Sequence, residues 1–360
     1  MVYLDYSATT KVDNNVLKCF NDVEDLFFAN PNSNHRLGKH ANKVIMDSAL
    51  KICSYLNIKK NEIIFTSGAS ESNNMVLKGC NASHIITTKL EHSSITTPVG
   101  YLQTKGIKVS FVPLLENGLV DVDALIKLIG DEDTLVSICM VNSETGIRQD
   151  IEEIGKILSK YPNVLFHSDI TQALGKISFS LENVDLASFS LHKIYGFKGI
   201  GGLVKKESVR LTPLIHGGKA FTIYRSGTPQ TGLIASSSVA FINAFESFEE
   251  RYSYVCELND YLKEKIKDYV VFNSNDKSIP HILNFSLKNI NSEDALKYFS
   301  ERDIFISSKT ACSSGNYSFV VNELYHDMER AENSLRVSIS YKTTYEELDI
   351  FIKYLKELVG

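Results

Sequence analysis

Between residues 60 and 205 the chain alternates short apolar runs with helix-like segments, and this alternation restricts the possible folds more than any other feature. The runs are "EIIFT" (62–66), "HIITT" (84–88), "KVSFVPL" (108–114), "TLVSICMV" (134–141), "NVLFHSD" (163–169), "VDLASFS" (184–190) and "GIGGLVK" (199–205). Several are apolar at successive positions rather than alternate ones, the pattern of a strand covered on both faces. Helix-like segments at 70–80, 92–105, 121–129 and 151–160 separate the earlier runs. Strand, helix, strand at this spacing predicts a mostly parallel seven-stranded sheet between helical layers. A chain of 360 residues exceeds one small core, so two domains are expected.

After about residue 232 the pattern changes. One long helical stretch is expected to about 269, bridging the domains, followed by a strand at 281–287, a helix at 292–301 and a strand at 334–340. The last helix is announced by Thr344 and Glu347, a capping box, with Leu348, Phe351, Ile352 and Leu355 on one face. The expected fold class is therefore α/β: a large domain over 13–245, and a smaller α+β domain from 1–12 and 246–360.

Composition narrows the function. A net charge of -5 argues against direct nucleic-acid binding through bulk electrostatics. No window approaches the roughly 18 unbroken apolar residues of a membrane span. "MVYLDYSATT" lacks a basic region followed by an apolar one, so no signal peptide is expected and the cytoplasm is the expected compartment. The cysteines, Cys19, Cys53, Cys80, Cys139, Cys256 and Cys312, form no CxxC pair, so no metal site is expected.

In parallel sheets ligands gather beyond the carboxyl ends of the strands. "FTSGASESNN" (65–74) is a strand, a glycine turn and a hydroxyl-rich helix start, which suits a phosphate as well as an ordinary N-cap. "TTKLEHSS" (87–94) sets His92 just past a strand. "FHSDITQALGK" (166–176) sets Asp169 at a strand end with Gln172 three residues on; a carboxylate there can cap a turn, ligate a metal or pair with a ring nitrogen. "SFSLHKIYGFKGIGG" (188–202) places Lys193 between a buried strand and a glycine-rich turn, where an amine can become nucleophilic, with Ser190 and His192 beside it. A lysine, an upstream aspartate, a histidine and a hydroxyl-rich helix start, all at strand ends, are what pyridoxal 5'-phosphate requires. "SSKTACSSGN" (307–316) then raises a question, because Cys312 stands among small polar residues although cysteine prefers a core.

The motifs "YLDYSATT", "NPNSNHRLG", "FTSGASESNN", "EHSS", "FHSDITQALGK", "HKIYGFKGIGG", "RSGT" and "SSKTAC" run in order over nearly the whole chain. In them the chain resembles the cysteine desulfurases, fold-type I pyridoxal-phosphate enzymes related to class V aminotransferases, and in particular the long-loop group of housekeeping and nitrogen-fixation desulfurases. The resemblance implies that Lys193 carries the coenzyme as a Schiff base and Asp169 pairs with its ring nitrogen. It implies that Gln172 bonds the phenolic oxygen, that His92 stacks on the ring and moves protons, and that Ser70, Ser190 and His192 hold the phosphate. Thr228 would reach the phosphate of the other subunit, implying a homodimer. Arg336 would clamp the substrate carboxylate, and Ser143 would sit where the family usually has an asparagine that holds coenzyme and substrate. Cys312 would take sulfur from L-cysteine as a persulfide, leaving L-alanine, and swing to an acceptor protein; small polar neighbours and Gly315 permit that motion.

Four details depart from the family: Ser143 itself, the residues of "HGGKAFTIYRSGT" after its glycines, Lys309 beside the cysteine, and Ser340 in place of a common glycine. The segment from Cys312 to "FVVNEL" is about two residues short of the long-loop group. The chain stops at Gly360, without the extension with which housekeeping members dock iron–sulfur scaffolds, so a dedicated role such as tRNA thiolation is expected beside iron–sulfur assembly. Two other readings remain: a lyase or aminotransferase acting on selenocysteine or cystine, and a sulfur-relay protein of weak or no catalysis.

Overall fold

The computed structural model describes residues 1–309 and 317–360. The chain opens with β1 (Val2–Tyr3) and two helices, α1 (Asn14–Leu26) and α2 (Arg36–Leu56). Strands and helices then alternate: β2 (Ile63–Thr66), α3 (Ala69–Gly79), β3 (His84–Thr87), α4 (Ser93–Gln103), β4 (Lys108–Phe111), α5 (Val122–Leu128), β5 (Thr134–Ser137) and α6 (Ile151–Leu158). Next come β6 (Val164–Asp169), β7 (Leu186–Ser190) and β8 (Gly201–Lys205). Helices α7 (Thr231–Phe245) and α8 (Phe248–Ile266) lead to β9 (Val270–Phe272), β10 (Ile282–Leu287), α9 (Ser292–Ser300) and β11 (Ile304–Phe305). The chain ends with α10 (Phe319–Tyr325), α11 (Met328–Glu332), β12 (Ser334–Ser338) and α12 (Tyr345–Val359).

All seven expected strands form one sheet, in the order β2-β8-β7-β6-β5-β3-β4. Its middle is parallel, while β8 runs antiparallel to both of its neighbours, β7 and β2. β5, β7 and β8 are buried along their whole length, as runs apolar at successive positions require. β4 differs, because it is the edge strand and is only partly buried. It also stops at Phe111 rather than 114, where Pro113 has no N–H for a ladder. β5 stops at Ser137 rather than 141, and the Cys139 N–H turns instead to the carboxylate of Glu91.

The expected long helix from 232 to 269 is two helices. Glu246 is extended, and Ser247 takes the left-handed conformation at φ 52°, which breaks the hydrogen-bond ladder between α7 and α8. The capping box of α12 is present, with Leu348, Phe351, Ile352 and Leu355 buried beneath it.

Three apolar clusters form among the described residues: a smaller one packs α3 and α4, through Met75, Val76 and Ile95, onto Ile85 and Leu203 of the large sheet, and two larger ones organise the rest. One joins the large sheet to its helices, from Val16 of α1 through Ile45 and Ile52 of α2 to Phe241 of α7, and also takes in Ile279 and Ile282. The other gathers α8, α9, α12 and the antiparallel sheet β12-β10-β9, together with Val2 and Leu4 from the start of the chain. β1 reaches this second core by pairing in parallel with β11.

Candidate active site

The chain order of the large sheet reverses at β3, whose neighbours β4 and β5 lie on opposite sides of it, and such a switch point opens a crevice at the strand ends. A cavity of about 220 Å³ lies there. Its wall includes His92 after β3, Cys139 and Ser143 after β5, Asp169 at the end of β6, and Ser190 and Lys193 after β7. Gln172, Ser70, His192 and Arg336 complete the set that the sequence singled out. Thr228 does not line the cavity; it is exposed, in a segment tied to the first turn of α3 by Arg225, whose Nε donates to Glu71 at 3.0 Å. Cys312 lies outside the described residues.

The Lys193 Nζ donates to the backbone carbonyls of Ser7 at 2.5 Å and Ala8 at 2.8 Å. The first ten residues thus place acceptors opposite the amine, and Thr10 fixes that approach by donating its N–H to the His192 carbonyl at 2.9 Å. Asp169 accepts from the Thr171 N–H on Oδ1 and from the Asn73 side chain on Oδ2. Asn73 also donates to the Ser94 hydroxyl oxygen at 2.8 Å.

His92 caps α4, its Nδ1 accepting the Ser94 N–H at 3.1 Å, so the neutral ring carries its proton on Nε2. Burial lowers its pKa, which keeps the ring neutral at pH 7. His192 is held down to about 4 by burial and then by Lys193; it serves as a neutral ring, with Nδ1 3.1 Å from the Thr9 hydroxyl.

The N-terminus of α3 forms another wall. Gly68 sits at φ 147° and packs so closely on Gly201 that a Cβ on Gly201 would lie 2.6 Å from the Gly68 Cα. This approach brings the Ser190 hydroxyl to the Ala69 N–H at 2.7 Å. Ser70, the next residue of the turn, is exposed to the cavity.

Arg336 is 1% exposed. Its Nη2 pairs with Asp5 at 2.7 Å and its Nη1 donates to the Ser143 carbonyl at 2.9 Å. Ser143 therefore meets the guanidinium through its backbone.

Sequence reasoning passed over three buried polar residues. Glu91, next to His92, accepts from the Thr88 hydroxyl at 2.9 Å and from the Cys139 N–H, and burial pushes its pKa up to about 7. Asn73 links Asp169 to Ser94. Lys176 donates to the Gln172 Oε1 at 2.6 Å. The signal for the last two was faint: Asn73 stood in the hydroxyl-rich helix start of 65–74 and Lys176 at the end of 166–176, and neither position marks its residue as buried.

A second space, of about 510 Å³, shares Leu90, His92 and Ser143 with the first and reaches Phe319 and Val320 in α10. Glu144 lines this second space, its Oε2 accepting from the Ser318 hydroxyl at 2.5 Å.

The model of the Aminotransferase class-V family matches residues 2–351. The chain belongs to this family of pyridoxal-phosphate-dependent fold-type I enzymes. It is 36% identical over 380 residues to the cysteine desulfurase IscS of Pseudoalteromonas translucida (strain TAC 125), covering 100% of this chain and 93% of that protein. The solved structure of a NifS-like protein matches with a TM-score of 0.94 at 33% identity, over 99% of this chain and 98% of that one. SspA in complex with cysteine matches with a TM-score of 0.84 at 30% identity, over 96% and 100%. Within its family the chain thus falls among the cysteine desulfurases.

The cavity's donors and acceptors fit the coenzyme. Each oxygen of Asp169 carries one hydrogen bond from the protein and keeps a lone pair for a ring N–H. The amine of Lys193 stands on the same wall system, and the first turn of α3 supplies amides at the positive end of its dipole. Among the described residues no group of histidine, cysteine and carboxylate side chains is arranged to hold a metal ion.

Proposed function

We propose that this protein takes sulfur from L-cysteine onto Cys312 and releases L-alanine, passing the sulfur on to an acceptor protein. The observation that carries the reading is that Lys193, Asp169, His92, Gln172 and Arg336, from four separate stretches of the sequence, line one cavity. When bound, pyridoxal phosphate supplies an electron sink for the pair left by the substrate's Cα proton.

The chain's own groups do the rest. Asp169, anchored by Asn73 and Thr171, holds the ring nitrogen in its protonated form. Gln172 donates to the phenolic oxygen, and Ser70, Ser190 and His192 hold the phosphate with neutral donors. His92, neutral and protonated on Nε2, would lie beside the coenzyme and could move protons together with Lys193. Arg336, oriented by Asp5 and the Ser143 carbonyl, receives the substrate carboxylate. The Cys312 thiolate attacks the substrate sulfur; the carbon–sulfur bond breaks, a sulfur–sulfur bond forms, and thiol plus cysteine become persulfide plus alanine.

The same reading takes 13–245 as the coenzyme-binding domain and 1–12 with 246–360 as the smaller one, supported by the second core's use of Val2 and Leu4. It takes the protein as a homodimer, with exposed Thr228 directed to the partner's phosphate site. It also takes it as a cytoplasmic enzyme serving iron–sulfur assembly or tRNA thiolation; no helix among the described residues is long and apolar enough to cross a membrane.

Mass spectrometry after incubating the coenzyme-loaded protein with cysteine tests the reading. The peptide carrying Cys312 should gain one sulfur, and Cys312→Ala should abolish alanine formation. Full alanine formation by Cys312→Ala would favour a lyase that needs no thiol, and labelling confined to another cysteine would overturn the assignment.

A further inference from the structure

Lys176 is a lysine in an unusual place. It is only 8% exposed and does not line the cavity, yet its Nζ lies 2.6 Å from the Oε1 of Gln172, a cavity residue. Gln172 in turn donates Nε2–H to the Ser7 carbonyl at 3.0 Å, and the same carbonyl accepts from the catalytic amine of Lys193.

Chemistry fixes the direction of this chain of bonds. A backbone carbonyl can only accept, so the end of the Gln172 amide facing Ser7 must be its nitrogen. The oxygen then faces Lys176, whose ammonium can only donate. Burial, followed by the nearby charges of Lys193 and Arg336, lowers the Lys176 pKa well below that of an ordinary lysine. In its neutral form the amine still donates to that oxygen, and the Ser7 carbonyl, which can only accept, keeps the orientation the same.

A glutamine without such a partner is nearly symmetric in shape and can turn its amide over. Turned over, it would set its oxygen against the Ser7 carbonyl and offer an acceptor where a donor is needed. It would also strip the Ser7 carbonyl of one of its two donors, leaving it only the Lys193 amine.

We propose that Lys176 is a positioning residue that locks the Gln172 amide with its N–H toward the Ser7 and Lys193 side of the cavity, where the coenzyme's phenolic oxygen is received. The proposal rests on the reading of the cavity as the pyridoxal-phosphate site. It adds a buried residue, outside contact with coenzyme or substrate, that sets the donor pattern of that site.

A double-mutant cycle on the full chain tests it, with the dissociation constant of pyridoxal phosphate for the apoenzyme as readout and the apoenzyme melting temperature as the folding control. Lys176→Met should weaken coenzyme binding about tenfold and raise the pH midpoint of the bound coenzyme's visible band, because a donor to the phenolic oxygen is lost. In a Gln172→Ala background the same substitution should weaken binding by no more than about twofold. Lys176→Gln, which retains an N–H donor, should stay within about threefold of the unsubstituted protein.

Unchanged binding by Lys176→Met, or an equal loss in both backgrounds, would show that Lys176 does not act through Gln172. Lys176→Gln binding as poorly as Gln172→Ala would overturn the donor argument even if Lys176→Met fails to fold. Failure of the unsubstituted protein to bind pyridoxal phosphate is a separate result: it would remove the cavity reading itself and the proposal with it.

Discussion

Glu91 shows how one buried carboxyl can shape the pH response of the whole protein. It is 7% exposed, and burial raises its pKa from 4.5 to about 7 against the bonds from Cys139 and Thr88 that favour its charged form. Between these values the unfolded chain has lost the proton while the folded chain keeps it. Stability contributed by this carboxyl is therefore full below about pH 4.5 and is lost as the pH rises through about 7, a change of roughly 3 kcal/mol. Glu91→Gln keeps an oxygen for the Cys139 N–H and removes the titration. Urea unfolding of the two apoproteins between pH 4.5 and 8 should show the variant gaining on the original as pH rises; parallel curves would contradict the buried acid. That Lys193, Asp169 and His92 would meet in one cavity was legible in the sequence because they stand at or just past strand ends, where ligands gather. Glu91, Asn73 and Lys176 were not, because what makes a buried polar residue informative is its partner, and the partners lie at Cys139, Asp169 and Gln172.

At the scale of elements, legibility followed length and burial. The seven strands of the large sheet were readable because two covered faces demand unbroken apolar runs. β1 and β11, two residues each, have no periodicity to read. The break between α7 and α8 was missed because "NAFESFEE" contains neither proline nor glycine. Its cause is the backbone of Ser247, left-handed at φ 52°, exposed, and making no side-chain capping bond to α8. A non-glycine residue in that conformation costs about 1 kcal/mol. Ser247→Gly removes the strain without losing a cap. The variant should be more stable by up to about 0.5 kcal/mol in denaturant unfolding, net of the extra freedom glycine gives the unfolded chain. A loss of stability would mean that the serine hydroxyl holds the turn.

Across the whole molecule, the first ten residues join what the rest of the chain keeps apart. Val2 and Leu4 are buried in the second core, and the Leu4 N–H and carbonyl bond Phe305 and Ser338. Asp5 then pairs with Arg336, and the carbonyls of Ser7 and Ala8 hold Lys193. Lys342 pairs with Asp13 as the segment enters the large domain. Packing in one core therefore sets acceptor positions at the Lys193 amine, beside the other. Leu4→Ala, at a fully buried site, should cost about 3 kcal/mol of stability. Leu355→Ala removes an equally buried leucine from the same core but lies in α12, outside the segment that carries the Ser7 and Ala8 carbonyls. If the strap transmits position, Leu4→Ala should weaken pyridoxal-phosphate binding several-fold at a temperature where both variants are folded, while Leu355→Ala should leave it nearly unchanged. Equal effects on coenzyme binding from the two substitutions would mean that the strap carries stability alone, and that the Ser7 and Ala8 carbonyls are positioned by the large domain through Thr10 and His192.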